Sequence, residues 1–312
     1  MPVAMQTEKM SRSPGGRLPN FLIIGATKCG TESLFRLLSD HPEVFMHPRK
    51  ELRFFTEEHA WGNGPEWYRA QFSAAGDARA VGESSNSYTR DPVYRGAPKR
   101  IHQLLPDVRM IYVIRHPIKR IESHYRHRLV TGIEWRSPER AIREDPSYVA
   151  ASLYGHQLEQ YRRFFRPEQF LILRFEQLIS EPLPSLRRIC QFLGISEAPG
   201  VGFPRANVTS ERTVAPAILR YFARFPAARD RVKSAVKSYG RSRFARFAPR
   251  ASDPAFSLPQ RIDDELRSTF RADREVLSRL VGEQFDEWDL NAGPLAGGML
   301  PGRDEAGGVT RT

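Results

Sequence analysis

A lysine sits inside a glycine-bounded turn near the start of this chain. Gly25-Ala26-Thr27-Lys28-Cys29-Gly30-Thr31-Glu32-Ser33 follows the short apolar run Asn20 to Ile24 and leads into a helical pattern. A strand, a glycine turn and a helix start gather backbone N–H groups around one point, and that geometry binds phosphate or sulfate. Lys28 adds a point charge, and Thr31 and Ser33 add hydroxyl donors. The spacing is not the GxxxxGK[ST] of a nucleoside-triphosphate loop. Here the lysine lies within the turn, and Thr31 follows Gly30 with Glu32 next. The residues describe a phosphate cradle without the ATP or GTP signature. A plain glycine turn with a solvated lysine would look the same, so the loop alone does not decide.

A second pair lies farther along. Arg115-His116-Pro117 follows the apolar run Arg109 to Ile114, and Pro117 suits the first turn of a helix. Ser123 falls two turns along that helix. A guanidinium with a hydroxyl suits a second phosphate, because arginine offers forked donors to a dianion. Arg115 paired with a core carboxylate, and Ser123 as an ordinary surface serine, remains the competing reading. Two anion sites after two strands are harder to dismiss than one.

The elements that must position these groups alternate. Strand-like runs cover Asn20 to Ile24, Ala80 to Glu83, Arg109 to Ile114 and Gln169 to Leu173. Helical patterns cover Thr31 to Leu38, Pro98 to Leu105, Pro117 to Leu129, Leu153 to Phe165, Pro184 to Leu193 and Arg261 to Val281. Strands alternating with helices predict an α/β fold with a mainly parallel sheet covered on both faces. Ligands in such sheets sit outside the carboxyl ends of the strands. Residues after Ile24, Glu83 and Ile114 are therefore the places to look.

Composition bounds the function. The 312 residues are 40% hydrophobic and 11% aromatic, enough for a packed core. No run reaches the roughly 18 apolar residues of a membrane span, and the polar start up to Pro19 lacks the apolar core of a secretory signal. Two cysteines, Cys29 and Cys190, predict a reducing compartment and a cytoplasmic location. The net charge of +12 favours anionic partners. The expected organisation is a flexible lead over 1–19, one domain over 20–290 with a basic insertion at about 205–255, and a flexible tail over 291–312.

At these residues a family comes into view. TKCGT at Thr27–Thr31 with IRHPIKRIESHY at Ile114–Tyr125 resembles the two nucleotide motifs of sulfotransferases that use 3′-phosphoadenosine 5′-phosphosulfate (PAPS). Lys50-Glu51-Leu52-Arg53-Phe54-Phe55 with Glu66-Trp67-Tyr68 resembles the KE..FF…WY segment of the heparan sulfate and related carbohydrate members. Gly82-Glu83-Ser84-Ser85-Asn86-Ser87-Tyr88 and Leu153-Tyr154-Gly155 resemble two further family segments. The likeness covers roughly 20–195, with a weaker echo over Arg261 to Trp288.

The resemblance implies a P-loop-like three-layer α/β/α fold with a mainly parallel central sheet. It implies that Thr27, Lys28, Cys29, Gly30, Thr31, Glu32 and Ser33 hold the 5′-phosphosulfate, and that Arg115 and Ser123 hold the 3′-phosphate. Tyr154 would lie near the adenine and Glu51 would be the general base. PAPS is the implied co-substrate, no metal is expected, and the acceptor would be a saccharide or glycoconjugate, with a lipid also open. The chain departs from the pattern in three ways. Ser84 stands where heparan-type members often carry lysine, the C-terminal disulfide and Golgi anchor have no counterpart, and only Lys237–Arg241 offers a loop to close over the 3′-phosphate. The chain thus resembles a soluble bacterial member. The alternatives are a P-loop-type nucleotide kinase and a non-catalytic basic nucleotide- or anion-binding protein.

Weaker signals remain. His116, His124 and His127 read better as solvated or phosphate-adjacent histidines than as metal ligands. Cys29 reads as a small loop residue. Asn207-Val208-Thr209 fits a glycosylation sequon, which means little in a cytosolic chain. Residues 218–250 interleave arginine and lysine with aromatics and could meet an anionic membrane or polymer, making the protein membrane-peripheral; nucleic acid is the less favoured partner.

Overall fold

The computed structural model describes residues 16–197 and 257–290. The basic 218–250 stretch, Lys237–Arg241, the Asn207 sequon, residues 1–15 of the lead and the 291–312 tail lie outside the described residues. Two compact units account for the described chain. The first holds 16–114 and 160–197, and the second holds 115–159 and 257–290.

The first unit carries a five-stranded sheet: β1 (Phe21–Gly25), β2 (Val44–Met46), β3 (Ala80–Ser84), β4 (Arg109–Ile114) and β5 (Phe170–Arg174). The order is β2-β3-β1-β4-β5 and every pairing is parallel. β1 and β3 are buried at every residue; β1 reads as the continuous apolar run of a covered parallel strand, whereas β3 buries Glu83 and Ser84 at its end. Register sets Leu22 opposite Glu83 and Ile23 opposite both Ser84 and Ile111. Gly82 has no side chain for a packing reason: a Cβ there would lie 2.4 Å from the Phe21 ring.

Helices flank this sheet: α1 (Thr31–Ser39), α2 (Glu58–Gly62), α3 (Gly64–Ala70) and α4 (Ala97–Leu104). The second unit follows with α5 (Pro117–Val130), α6 (Pro138–Glu144) and α7 (Ser147–Ala150). α8 (Tyr154–Arg162) begins in it; α9 (Phe175–Ser180) and α10 (Pro182–Leu193) return to the first. α11 (Gln260–Val281) completes the second unit and ends at Gly282, in the left-handed conformation that terminates helices.

The four expected strands and six expected helices all form, with ends shifted by a few residues. α8 stops at Arg162, three residues short of the expected Phe165, and α10 begins at Pro182 rather than Pro184. β2 and the short helices α2, α3, α6, α7 and α9 are additions. No described helix is long and apolar enough to cross a membrane.

The second unit is organised by buried polar groups. Arg120 on α5 is fully buried and donates to the Ser152 hydroxyl and the Tyr148 carbonyl. Glu134 accepts from the Nε and Nη2 of Arg136, each at 2.8 Å, and from the Tyr148 hydroxyl at 3.1 Å. On α11, the Asp273 carboxylate accepts from the amides of Gly155 at 2.9 Å and His156 at 2.8 Å, capping the start of α8. A Cβ on Gly155 would lie 2.5 Å from the Asp273 carbonyl, so only glycine allows this approach of α8 to α11.

Candidate functional site

All five strands run parallel, so the loops after β1 and β3 leave from the same edge of the sheet. The loop after β1 starts at Gly25, where a Cβ would collide with the Thr89 hydroxyl at 2.1 Å. That hydroxyl donates to the Ile24 carbonyl at 2.9 Å and clamps the strand end. Lys28 has φ 70° and Gly30 has φ 85°, so the turn is left-handed twice before α1 begins. Gly30 precedes Thr31 without a side-chain cap; its carbonyl accepts the Ser33 and Leu34 amides at 3.0 and 3.2 Å, and a helix start leaves the amides before these without a helical acceptor. Thr31 is buried, whereas Glu32 and Ser33 are more open. Thr27 and Cys29 lie in the same turn; Cys29 is buried and its amide donates to the Ala26 carbonyl at 3.2 Å.

A second cation meets this loop. Lys50 Nζ lies 3.0 Å from the Glu32 carboxylate and 3.4 Å from the Thr31 hydroxyl. These contacts hold the 50–55 segment against the first turn of α1, and Glu51 is the next residue. In the sequence Lys50 counts only as the first residue of the KE..FF segment; the structure pairs it with Glu32. Lysine beside KE-type acids is a weak signal, and nothing local pointed Lys50 at α1.

Glu51 is held from three sides. Its N–H donates to the Ser84 carbonyl at 2.8 Å. Its carboxylate accepts Asn86 Nδ2 at 2.8 Å and the Asn86 amide at 3.2 Å, and Arg53 Nε lies 3.8 Å away. The side chain keeps 29% of its surface exposed, so a substrate can reach it. Glu51 has φ 61° and Arg53 has φ 57°. Lys28, Glu51 and Arg53 are the three non-glycine residues at positive φ among the described residues; one lies in the turn after β1 and two in the segment that Lys50 ties to α1. Such conformations cost about 1–3 kcal/mol each and persist where surroundings enforce them, commonly at functional sites.

The aromatics after Glu51 supply that enforcement. Phe54 stacks on Tyr68 at 4.2 Å and lies 5.9 Å from Trp67, and Phe55 meets Tyr68 and Tyr88 edge-on. Beneath them Glu83 is fully buried on β3. It accepts hydroxyls from Tyr68 at 2.9 Å, Tyr88 at 2.5 Å and Ser85 at 2.7 Å. Burial raises its pKa to about 7, against the lowering effect of those three donors. Ser84, where the family often has lysine, is buried beside it.

The remaining sequence-nominated residues are in the second unit. Arg115 follows the last residue of β4 and is half-buried. Next to it, burial and the charges of Arg267 and Lys119 lower the His116 pKa to about 4, keeping that imidazole neutral near pH 7. Ser123 lies on α5 and is 7% exposed. The Tyr154 ring is buried against Trp288 at 5.7 Å, with Phe285 behind it. His124 is buried against Tyr148 rather than solvated. Among the described residues, no cluster of three or more histidine, cysteine or acidic side chains is placed to hold a metal ion.

The parallel sheet with a left-handed, glycine-bounded turn and a helix start after its central strand defines an α/β protein of P-loop-like class. The sulfotransferase domain model matches residues 18–204, and the chain belongs to that family. Heparan sulfate glucosamine 3-O-sulfotransferase 6 of Homo sapiens is 31% identical over 195 residues, 60% of this chain and 55% of that protein. Heparan sulfate glucosamine 3-O-sulfotransferase 5 of Homo sapiens is 29% identical over 192 residues, 57% of this chain and 54% of that protein. The chain therefore matches only about half the length of these relatives. Among solved structures, a sulfotransferase from Alicyclobacillus acidocaldarius aligns with TM-score 0.61 and 25% identity, over 86% of this chain and 98% of that one.

Proposed function

We propose that this chain transfers a sulfuryl group from PAPS to a hydroxyl or amine of a saccharide or glycoconjugate acceptor. One observation carries the reading: a part-exposed, oriented carboxylate, Glu51, follows directly on a lysine that contacts the first turn of α1. The donor set suits a phosphosulfate. It offers helix-start amides, the Thr31 and Ser33 hydroxyls, and the ammonium groups of Lys28 and Lys50.

In the transfer, the S–O bond to the 5′-phosphate breaks as acceptor oxygen or nitrogen bonds to sulfur, and adenosine 3′,5′-bisphosphate leaves. The residues divide this work. Glu51 takes the acceptor's proton, a role worth roughly 10²–10⁴ in rate. Lys28 and the first amides of α1 meet the charge that builds on the departing phosphate oxygen. Removing one preorganised donor of that kind costs on the order of 10²–10³. Arg115 and Ser123 take the 3′-phosphate, and Tyr154 lies towards the adenine. The saccharide acceptor rests on the KE..FF segment and on the named relatives. A cytoplasmic location, with peripheral contact to an anionic surface through 218–250, rests on charge and on two buried, unbridged cysteines.

Labelled sulfate transfer from PAPS onto a panel of glucosamine-containing oligosaccharides tests the proposal. Glu51→Gln and Lys28→Ala should each lose transfer by the factors above. Adenosine 3′,5′-bisphosphate should raise the melting temperature where magnesium ATP does not, because a ligand held by the native state stabilises it. Full transfer in both variants would remove the mechanism, and stabilisation by magnesium ATP alone would favour a kinase.

A further inference from the structure

We infer that Asn86 and Ser85, backed by the buried Glu83, are positioning residues that fix the Glu51 carboxylate in one orientation. The inference deepens the proposed function and rests on Glu51 being the base. The contacts form one continuous latch. Asn86 gives the carboxylate two donors, its side-chain Nδ2 at 2.8 Å and its backbone N–H at 3.2 Å. Its Oδ1 has no hydrogen-bond partner among the described residues, so the polar commitment of this side chain is to Glu51. The reverse amide orientation would set a carbonyl oxygen against an anion and is excluded on chemical grounds.

Ser85 joins the other two parts. Its hydroxyl donates to Glu83 at 2.7 Å and accepts the Arg53 N–H at 3.0 Å. The Ser84 carbonyl accepts the Glu51 N–H at 2.8 Å. The strand-end turn 84–86 thus grips the 51–53 segment at both of its left-handed residues and at the carboxylate itself. Glu83 anchors that turn through three hydroxyl donors in a dry interior, where a hydrogen-bonded network is rigid. A turn that only closed a loop would not need a carboxylate buried beneath it and an amide aimed at the part-exposed Glu51.

The test reads the carboxylate directly and then the rate. In crystal structures of the full chain the Glu51 carboxylate should hold one orientation in the parent and in Ser85→Thr, which keeps the hydroxyl, and should spread over more than one in Asn86→Ala and Ser85→Ala. Asn86→Asp, nearly isosteric, sets a second anion against Glu51 and serves as the second probe if Asn86→Ala does not fold; it should turn the carboxylate away. Sulfate transfer from PAPS should lose up to roughly 10²-fold in kcat in Asn86→Ala and Ser85→Ala, with KM for PAPS unchanged, because a misplaced group costs rate rather than donor binding, and Ser85→Thr should restore it. An unmoved carboxylate in both Asn86 variants, or a Ser85→Thr variant as slow as Ser85→Ala, overturns the inference. The base reading fails separately: Glu51→Gln with full sulfate transfer removes it and leaves the structural result standing.

Discussion

Two buried carboxylates respond to pH in opposite directions. Burial lifts Glu83 from 4.5 to about 7. Between those values the folded chain holds a proton that the unfolded chain has released. The contribution of Glu83 is therefore full below about pH 4.5 and is lost as pH rises through about 7. Glu83→Gln carries no such loss, so its melting temperature minus that of the parent should become more positive from about pH 5 to about pH 8. Glu134 is the reverse case. Burial would raise it, but the Arg136 guanidinium, the Arg136 and Trp135 amides and the Tyr148 hydroxyl outweigh burial and bring it to about 2. Its contribution is present above about pH 4.5 and lost as pH falls through about 2. Glu134→Gln should lack that acid-side loss in denaturant titrations run across the same range. Neither value was legible in the sequence, because the hydroxyls around Glu83 come from α3 and from the turn after β3.

At the scale of elements, the glycines at close approaches decide what can pack. Gly155→Ala would press a methyl onto the backbone of α11. Overpacking of this kind costs about 1–3 kcal/mol, and urea unfolding should show a lower midpoint with the slope unchanged. Gly30→Ala adds two penalties, a left-handed φ of 85° and a Cβ 2.8 Å from the Phe175 ring. It should lower stability and weaken adenosine bisphosphate binding together. The regular elements were readable because their signals are local: continuous apolar runs for β1 and β4, a period near 3.6 for α1, α10 and α11, and Gly194 and Gly282 as stops. β2 escaped because Val44–Met46 is three residues long and carries no period. α2 and α3, with five and seven residues, span too few turns to show an amphipathic face.

For the whole molecule, the charge of +12 acts over a distance set by salt. Binding of adenosine 3′,5′-bisphosphate should weaken markedly as salt rises from roughly 0.01 to 0.15 M, where the screening length falls from about 30 to about 8 Å. Isothermal titration across that range measures it, and a flat response would show that only short contacts matter. The family match over 18–204 spans the whole five-stranded sheet and most of the second unit's helices. α11 lies beyond it, although Asp273 on that helix caps α8 and the cluster around Trp288 packs on Tyr154.

The sequence by itself determined the alternation of strands and helices, the glycine turn after the first strand and the family, because turns, periodicity and short motifs are written in neighbouring residues. Only the tertiary structure decided how the site is held. Asn86 reaches Glu51 across 35 positions, and Lys50 reaches Thr31 across 19. Lys28, Glu51 and Arg53 adopt a left-handed backbone that their residue types disfavour. The surroundings impose that conformation: stacked aromatics, a buried carboxylate and a clamped strand end leave these residues no relaxed alternative.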